Sequence, residues 1–253
     1  MGGTGGLEVT IAGTHESAVV ETAQIGQHVV IGPYCVVGPD VTLEDGVRLH
    51  PHVVISGDVT VGAGGEVYPG AVLGKAPTRS AALSRVPAEG GAVRLGRGCS
   101  VGAYAVIYEG VTIGRDSLVG DHAGIREGCT IGTRCIVGRY VSVHPDCEVG
   151  DRSRVYDHAH LASGTRVGVD CFISLHTAMA SDNALGVLPF AADRVRGPAI
   201  GDRVSVGVGA TIIPGVRLGD DSTVAAGAVV TRDVEAKSFV RGVPARACDR
   251  GSE

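Results

Sequence analysis

The sequence contains no tryptophan, and only nine of its 253 residues are Phe or Tyr. A conventional globular core needs large side chains to fill its interior, so this scarcity predicts thin, repeated layers of small aliphatic residues. No apolar run approaches the length of a membrane span, and the opening MGGTGGLEVT lacks the basic start and apolar stretch of a signal peptide. The formal net charge of −5 argues against a nucleic-acid partner. We therefore expect a cytoplasmic protein that binds neither membranes nor nucleic acids.

Glycine is abundant, with 40 residues, and aliphatic residues recur at every sixth position. Thirty such hexads fall in three blocks, at 19–73, 95–173 and 200–230, without a miss inside a block. Gly often follows the aliphatic residue, and the position four after it is small or Val. A period of six fits neither an α-helix nor a simple alternating strand. Each hexad therefore predicts a short strand followed by a tight corner.

Three hexads would close one triangular coil, so the repeat predicts an all-β parallel β-helix of about ten coils, stacked about 4.8 Å apart. We assign 1–18 to an N-terminal cap, 19–234 to the β-helix and 235–253 to a C-terminal tail. Two extended loops, 75–94 and 178–199, leave the repeat. The pattern [Ile/Leu/Val]-Gly-x-x-[small]-x resembles the left-handed β-helix of the hexapeptide-repeat acyltransferases. That resemblance implies left-handed coils and a homotrimer.

Three segments resemble particular branches of that superfamily. The first hexads, in 19–74, are similar to UDP-N-acetylglucosamine O-acyltransferase, which takes its acyl group from acyl carrier protein. The middle segment VYDHAHLASGTRVGVDCFISLHTAMASDN is similar to nucleotide-amino-sugar N-acetyltransferases. Residues 200–234 and the following SFVRGVPAR resemble small-molecule acetyltransferases, which bind coenzyme A between neighbouring subunits. Together these resemblances imply transfer of an acetyl group from acetyl-CoA to an amino sugar nucleotide. N- or O-transfer, and acyl carrier protein as donor, stay open.

Basic residues in the loops and the tail are candidates for binding phosphate groups. We assign Arg79 and Arg85 to the acceptor, and Arg194, Arg196 and Arg241 to the acyl donor. The alternative is that these are solvated loop charges. Six of the seven Cys fall at the inward small position and none forms a Cys-x-x-Cys pair, so we expect packing roles and no metal.

Residues 18 apart should stack at one corner of successive coils. This spacing joins five polar rings in a column: Tyr104, His122, Tyr140, His158 and His176. A second column, one residue after the aliphatic, contains Tyr108, Arg126 and His144. The rings could simply stack along an edge. Alternatively, the columns line a groove in which His122, Tyr140, His176 and Arg126 contact the acceptor.

A histidine has the unperturbed pKa suited to deprotonating an acceptor amine or hydroxyl. We favour His158, which follows Asp157, as that base. His144 is the rival, because the segment VHPDCEVG resembles the catalytic hexad of the O-acyltransferase. In that family the His stands one residue later, where this chain has Pro145. The resemblance implies direct acyl transfer, with a backbone N–H stabilising the oxyanion.

Two other functions compete with acyl transfer. Some proteins of this fold resemble carbonic anhydrases, which bind zinc through three His, but His122 and His158 would lie two coils apart, about 9.6 Å. A non-catalytic scaffold is the third possibility, since some solenoids only present surfaces.

Overall fold

The computed structural model describes residues 13–80, 83, 87, 90–184, 187–188 and 191–248. Its strands form three parallel sheets that are the three faces of a triangular solenoid. From Val19–Val20 to Val229–Val230, consecutive strands belong to different faces, and each strand that pairs onward within this range does so with the strand three positions later in the chain. Partners are usually 18 residues apart, as for Ile107 with Ile125 and Ile125 with Val143. The parallel β-helix predicted from the period of six is therefore confirmed, with ten to twelve strands per face among the described residues.

Face 1 contains the strands Val19–Val20, Val36–Val37, Val54–Ile55, Val72–Lys75, Val106–Tyr108, Gly124–Ile125, Ser142–Val143, His160–Leu161, Ala178–Met179, Thr211–Ile212 and Val229–Val230. Face 2 contains Gln24–Ile25, Val41–Leu43, Val59–Val61, Val93–Leu95, Thr112–Ile113, Thr130–Ile131, Glu148–Val149, Arg166–Val167, Ala199–Ile200 and Arg217–Leu218. Face 3 contains Val30–Ile31, Arg48–Leu49, Glu66–Val67, Ser100–Val101, Leu118–Val119, Ile136–Val137, Arg154–Val155, Phe172–Ile173, Ser205–Val206, Thr223–Val224, Phe239–Arg241 and Arg246–Ala247. Among the described residues, one 3₁₀ turn is present, Ala192–Arg194 in the second loop.

The core is a column of inward residues, two from each hexad, of which one is aliphatic and the other is usually small. Ile107, Ile125 and Val143 on face 1 are each essentially inaccessible to solvent. Each coil is too thin to bury these groups alone, so their burial comes from the coils above and below. Most inward Cys and Ser side chains also donate hydrogen bonds to backbone carbonyls of the next coil, as Cys135 does to Gly150 at 3.2 Å and Ser153 to Gly168 at 2.7 Å.

The three corners differ in the residues that take the left-handed backbone conformation. The loop corner, between faces 1 and 2, has mainly Gly there, with Gly110, Gly128, Asp146, Gly164 and Gly215 at positive φ. The charged corner, between faces 2 and 3, is defined by Asp116, Arg134, Arg152, Asp170, Arg203, Asp221 and Lys237. The aromatic corner, between faces 3 and 1, is defined by Tyr104, His122, Tyr140, His158 and His176.

Both interruptions of the repeat leave the solenoid at the loop corner. The first follows the strand Val72–Lys75 and the second follows Ala178–Met179. The chain re-enters face 2 at Val93–Leu95 and Ala199–Ile200. The loops are therefore shorter than the 75–94 and 178–199 expected from sequence, because the strand pairing extends past the last perfect hexad.

The tail closes the C-terminal end of the solenoid. The strand Phe239–Arg241 pairs with Thr223–Val224 and adds one more rung to face 3. Arg246–Ala247 then turns back and pairs antiparallel with it. This reversal ends the parallel ladder.

Candidate active site

The five rings of the aromatic corner form one continuous stack. Successive ring centroids from Tyr104 to His176 are 5.3, 4.7, 5.0 and 4.9 Å apart, with planes within 12° of parallel. The 18-residue spacing predicted this column. The rings face solvent, and Tyr140 is 52% exposed.

The ring stack continues below the first loop, which the sequence analysis did not foresee. Tyr34 and His52 stack at 5.1 Å at the same corner. The coil between them and the main stack has Gly70, and the ring of Tyr104 lies where a Cβ at Gly70 would be. The first loop inserts extra residues between Gly70 and Tyr104, so the 18-residue step fails there.

Asp157 does not orient the imidazole of His158. Its Oδ1 accepts a hydrogen bond at 2.8 Å from the backbone N–H of Arg139 in the preceding coil. Asp121 and Asp151 do the same for Ala103 and Thr133, so this is a repeated structural contact. Among the hydrogen bonds and ion pairs of the described residues, none joins Asp157 to His158.

A second cluster, which we call the face 1 cluster, lies on the outer side of face 1 beside the loop corner. It contains Lys75, Tyr108, Arg126, Glu127, His144 and His160. The Nζ of Lys75 is 4.6 Å from the ring centre of Tyr108, and the guanidinium carbon of Arg126 is 4.9 Å from that centre. Both are cation–π distances. The cluster therefore begins where the first loop leaves the solenoid, at Lys75.

Glu127 is a carboxylate held in the wall of the face 1 cluster. It is only 2% exposed, whereas most ionised side chains are on the surface. Arg126 donates two hydrogen bonds to it, from Nε at 2.8 Å and from Nη2 at 3.2 Å. Sequence reasoning missed this residue. The only signal in the sequence was that Glu127 is acidic, whereas the equivalent position of the next coil, 18 residues later, is Pro145.

His144 and His160 meet edge to face, with ring centroids 4.5 Å apart and planes at 65°. They lie on neighbouring strands, because Val143 pairs with Leu161 and each His flanks one of these residues. Burial lowers the pKa of His160 below its ordinary value, which keeps this ring neutral near pH 7. The sequence left the direction of His160 open, whereas the structure turns it towards His144. The ring of His158, by contrast, is at the opposite edge of face 1.

The basic residues assigned to phosphate binding are separated in the structure. Arg79 is exposed near the start of the first loop, and Arg194 and Arg196 are exposed in the second. Arg196 also links the loop to the solenoid, since its N–H donates to Ser181 and its carbonyl accepts from Gly215, both at 2.8 Å. Arg241 is exposed on face 3, away from the loop corner. Arg85 lies outside the described residues.

Within the described part of the chain, no three His, Cys, Asp or Glu side chains are grouped so that they could hold a metal ion. The same residues contain no helix long and apolar enough to cross a bilayer.

Family models match the repeats directly. A model described as bacterial transferase hexapeptide (six repeats) matches residues 22–57 and 92–127, and one described as hexapeptide repeat of succinyl-transferase matches 110–145 and 199–232. The matched residues are thus hexapeptide repeats of the kind these two models describe. The matches agree with the resemblance inferred from the repeat itself.

Curated relatives match short stretches of this hexapeptide-repeat chain. An acyl-[acyl-carrier-protein]–UDP-N-acetylglucosamine O-acyltransferase of Azorhizobium caulinodans is 66% identical over 32 residues, covering 13% of this chain and 12% of the relative. A 2,3,4,5-tetrahydropyridine-2,6-dicarboxylate N-acetyltransferase of Staphylococcus aureus is 48% identical over 54 residues, covering 21% and 23%. The chain thus spans less than a quarter of the length of these relatives.

Two solved structures share the fold over most of the chain. The UDP-N-acetylglucosamine acyltransferase of Arabidopsis has a TM-score of 0.57 at 20% identity, and covers 93% of this chain and 73% of its own. The enzyme of the same name from Campylobacter jejuni has a TM-score of 0.53 at 16% identity, covering 79% and 74%. The fold is accordingly the left-handed parallel β-helix. At these identities the likeness concerns the fold alone.

Proposed function

We propose that the protein is an acyltransferase that moves an acyl group from a thioester to an amine or hydroxyl of a small polar acceptor. The observation that carries the proposal is the half-buried His144–His160 contact in the face 1 cluster, next to the corner where both loops leave. The transferases among the relatives and the matched transferase hexapeptide repeats support the same reaction class.

In this proposal His144, rather than His158, is the general base. The acceptor nitrogen or oxygen attacks the thioester carbonyl carbon while His144 takes the proton from that nitrogen or oxygen. The tetrahedral intermediate then collapses, the C–S bond breaks, and the proton passes from His144 to the departing thiolate. The products are an amide or ester and a free thiol. No covalent acyl-enzyme is needed, which fits the burial of the inward Cys residues.

The surroundings of His144 suit this role. The contact with a neutral His160 restricts rotation of the His144 ring. In this proposal the restriction keeps a ring nitrogen of His144 directed towards an incoming acceptor. Arg126 and Glu127 fix the floor of the site one coil below, and the Tyr108 ring with its two flanking cations forms the adjoining surface. The ring stack with His158, His122, Tyr140 and His176 then serves as an outer wall.

Acetyl-CoA is the donor we propose, with acyl carrier protein as the alternative, and an amino sugar nucleotide is the proposed acceptor. Arg79, Arg194 and Arg196 are on the loops of the loop corner, within the part of the solenoid that also holds His144, and would bind phosphate groups of either substrate. We further propose a homotrimer, in which the second wall of the site comes from a neighbouring subunit.

The test is a transfer assay with purified protein, acetyl-CoA and a panel of amino sugars, UDP-linked amino sugars and their hydroxyl analogues. Products are detected by mass, and hydroxylamine, which cleaves esters but not amides, separates O- from N-transfer. His144→Ala should lower kcat by about 10²- to 10⁴-fold, the usual contribution of a general base. His158→Ala is the matched control and should leave kcat within a few-fold of the parent.

The reverse result, with loss of activity in His158→Ala and retention in His144→Ala, would move the base to the aromatic corner. No transfer to any acceptor from acetyl-CoA or from acyl carrier protein, together with no thioester binding by calorimetry, would favour the scaffold. Zinc bound to the purified protein at one ion per subunit interface would favour the metal enzyme.

A further inference from the structure

The charged corner contains a cleft that the proposed acyl transfer does not use. It has a volume of about 400 Å³ and is lined by Arg134, Arg152, Arg154, Asp170, Cys171 and Phe172. This size lies in the range of small-molecule sites. The cleft is located where the charged corner meets face 3, whereas the face 1 cluster is beside the loop corner.

Charges along the charged corner alternate in sign except at this cleft. From Arg152 upwards the column continues Asp170, Arg203, Asp221 and Lys237, one residue per coil. Arg152 donates two hydrogen bonds to Asp170, both at 2.7 Å, and Arg203 donates two to Asp221, at 2.7 and 3.0 Å. Below Arg152, however, the next coil has Arg134, so two arginines occupy neighbouring positions at this corner and both line the cleft.

The cleft is therefore positively charged although the whole chain carries −5. Its only carboxylate, Asp170, already has a bidentate partner in Arg152, and that guanidinium holds the pKa of Asp170 below its ordinary value. Arg134 and Arg154 form no ion pair with any described residue. Like charges on neighbouring coils repel each other, so an anion bound between these arginines would relieve their repulsion.

An aromatic ring completes the lining. Phe172 is 40% exposed and lines the cleft. Tyr156 contacts its ring at a tilt of 45°, with centroids 5.1 Å apart. Because Phe172 pairs with Arg154 on the neighbouring strand, a partly exposed ring lies beside an arginine in the cleft.

We propose that this cleft binds a nucleoside diphosphate, with its phosphates on Arg134 and Arg154 and its base against Phe172. Guanidinium groups bind phosphate through paired hydrogen bonds, and aromatic rings stack on bases of any sequence. Arg152 contributes charge while it stays bound to Asp170. The proposal is independent of the acyl-transfer proposal, since none of these residues belongs to the face 1 cluster.

The experiment is isothermal titration of the full chain with ADP, inorganic pyrophosphate and adenosine, at low ionic strength and with EDTA present. ADP should bind more tightly than pyrophosphate, and adenosine more weakly than either. Arg134→Gln and Arg154→Gln should each weaken ADP and pyrophosphate at least about tenfold, as expected for loss of a charged hydrogen bond. Phe172→Ala should weaken ADP alone.

Arg166→Gln is the matched control. Arg166 is an exposed strand residue at the same position of its hexad as Arg154, but on face 2, where it pairs with Glu148 at 3.4 Å. The Arg166→Gln variant should bind ADP as tightly as the parent does. The proposal would be overturned if the parent did not bind pyrophosphate. It would also be overturned if Arg134→Gln and Arg154→Gln bound ADP and pyrophosphate as tightly as the parent does. So would a change in assembly mass in these two variants, because the cleft would then be a contact between copies of the chain. Unchanged ADP affinity in Phe172→Ala would overturn its nucleoside part.

Discussion

The ion pair between Arg126 and the buried Glu127 leads to a quantitative prediction about stability. Replacing Arg126 by Met keeps most of its apolar volume beside Tyr108 but removes the one guanidinium that, among the described residues, is hydrogen-bonded to Glu127. The Glu127 side chain, 3% exposed, would then hold a carboxylate charge without a partner. The expected result is a clear loss of folding free energy.

The size of that loss can be worked out from how deeply each of the two side chains, Arg126 and Glu127, is buried. Breaking a fully buried ion pair by removing one partner costs about 3–5 kcal/mol. Here the Arg126 side chain is 34% exposed, so water can partly replace it and the cost should be about 2 kcal/mol. Glu127→Gln keeps the shape and one hydrogen bond, and should cost about 1 kcal/mol. In the double variant the neutral amide needs no cation, so its loss should be smaller than the sum by about 1 kcal/mol or more.

The assay is urea unfolding of the parent, both single variants and the double variant, followed by circular dichroism and by a second probe. A solenoid can lose cooperativity, so coincident transitions are required before free energies are compared. If the two single losses add without coupling, or if Arg126→Met is as stable as the parent, the pair does not hold Glu127 in the way described.

Three further predictions concern other parts of the solenoid. Because burial lowers the pKa of His160 in the folded state, the unfolded chain binds its proton more readily, so stability should fall as the pH drops below about 6.5 and level off below the folded pKa. Thermal melts of His160→Gln should lack that part of the pH dependence, and an unchanged profile would contradict it. Gly74→Ala should lower the free energy of unfolding by more than about 2 kcal/mol, because φ is +75° and a Cβ would collide with the carbonyl oxygen of Ser56. Gly64→Ala, at φ +68°, brings its Cβ near no other atom and should cost about 1 kcal/mol. Equal melting temperatures for the two variants would refute this account. With an aromatic disulfide reagent, the half-exposed Cys248 should react first and the six buried thiols only after unfolding, so rapid native labelling of several thiols would be inconsistent with the packing.

Much of the fold was predictable because the repeat is local. A hexad specifies its own strand, its inward residues and its corner, so Ile107, Ile125 and Val143 could be placed in the core from spacing alone. The same logic put Tyr140 and His158 in one ring stack. The inward Cys positions were predictable for the same reason, since packing allows only a small side chain there.

The candidate site was less predictable, because its contacts cross between coils without a fixed spacing. His144 and His160 are 16 residues apart in sequence. They meet because Val143 pairs with Leu161, and the residue after Val143 and the residue before Leu161 both point outward from face 1. The sequence favoured His158 through its neighbour Asp157, but the carboxylate of Asp157 turns to the backbone of the preceding coil.

By itself, the sequence determined the β-helix, the core and the order of residues along each corner, since a strict six-residue period leaves one way to bury the aliphatic side chains. Only the tertiary structure decided which polar side chains meet. The loops change the spacing between stacked coils, so Arg94 pairs with Asp58 across 36 residues and Tyr104 lies over Gly70. The direction of an outward side chain depends on its neighbours in the coils above and below, and no period in the sequence specifies those neighbours once a loop intervenes.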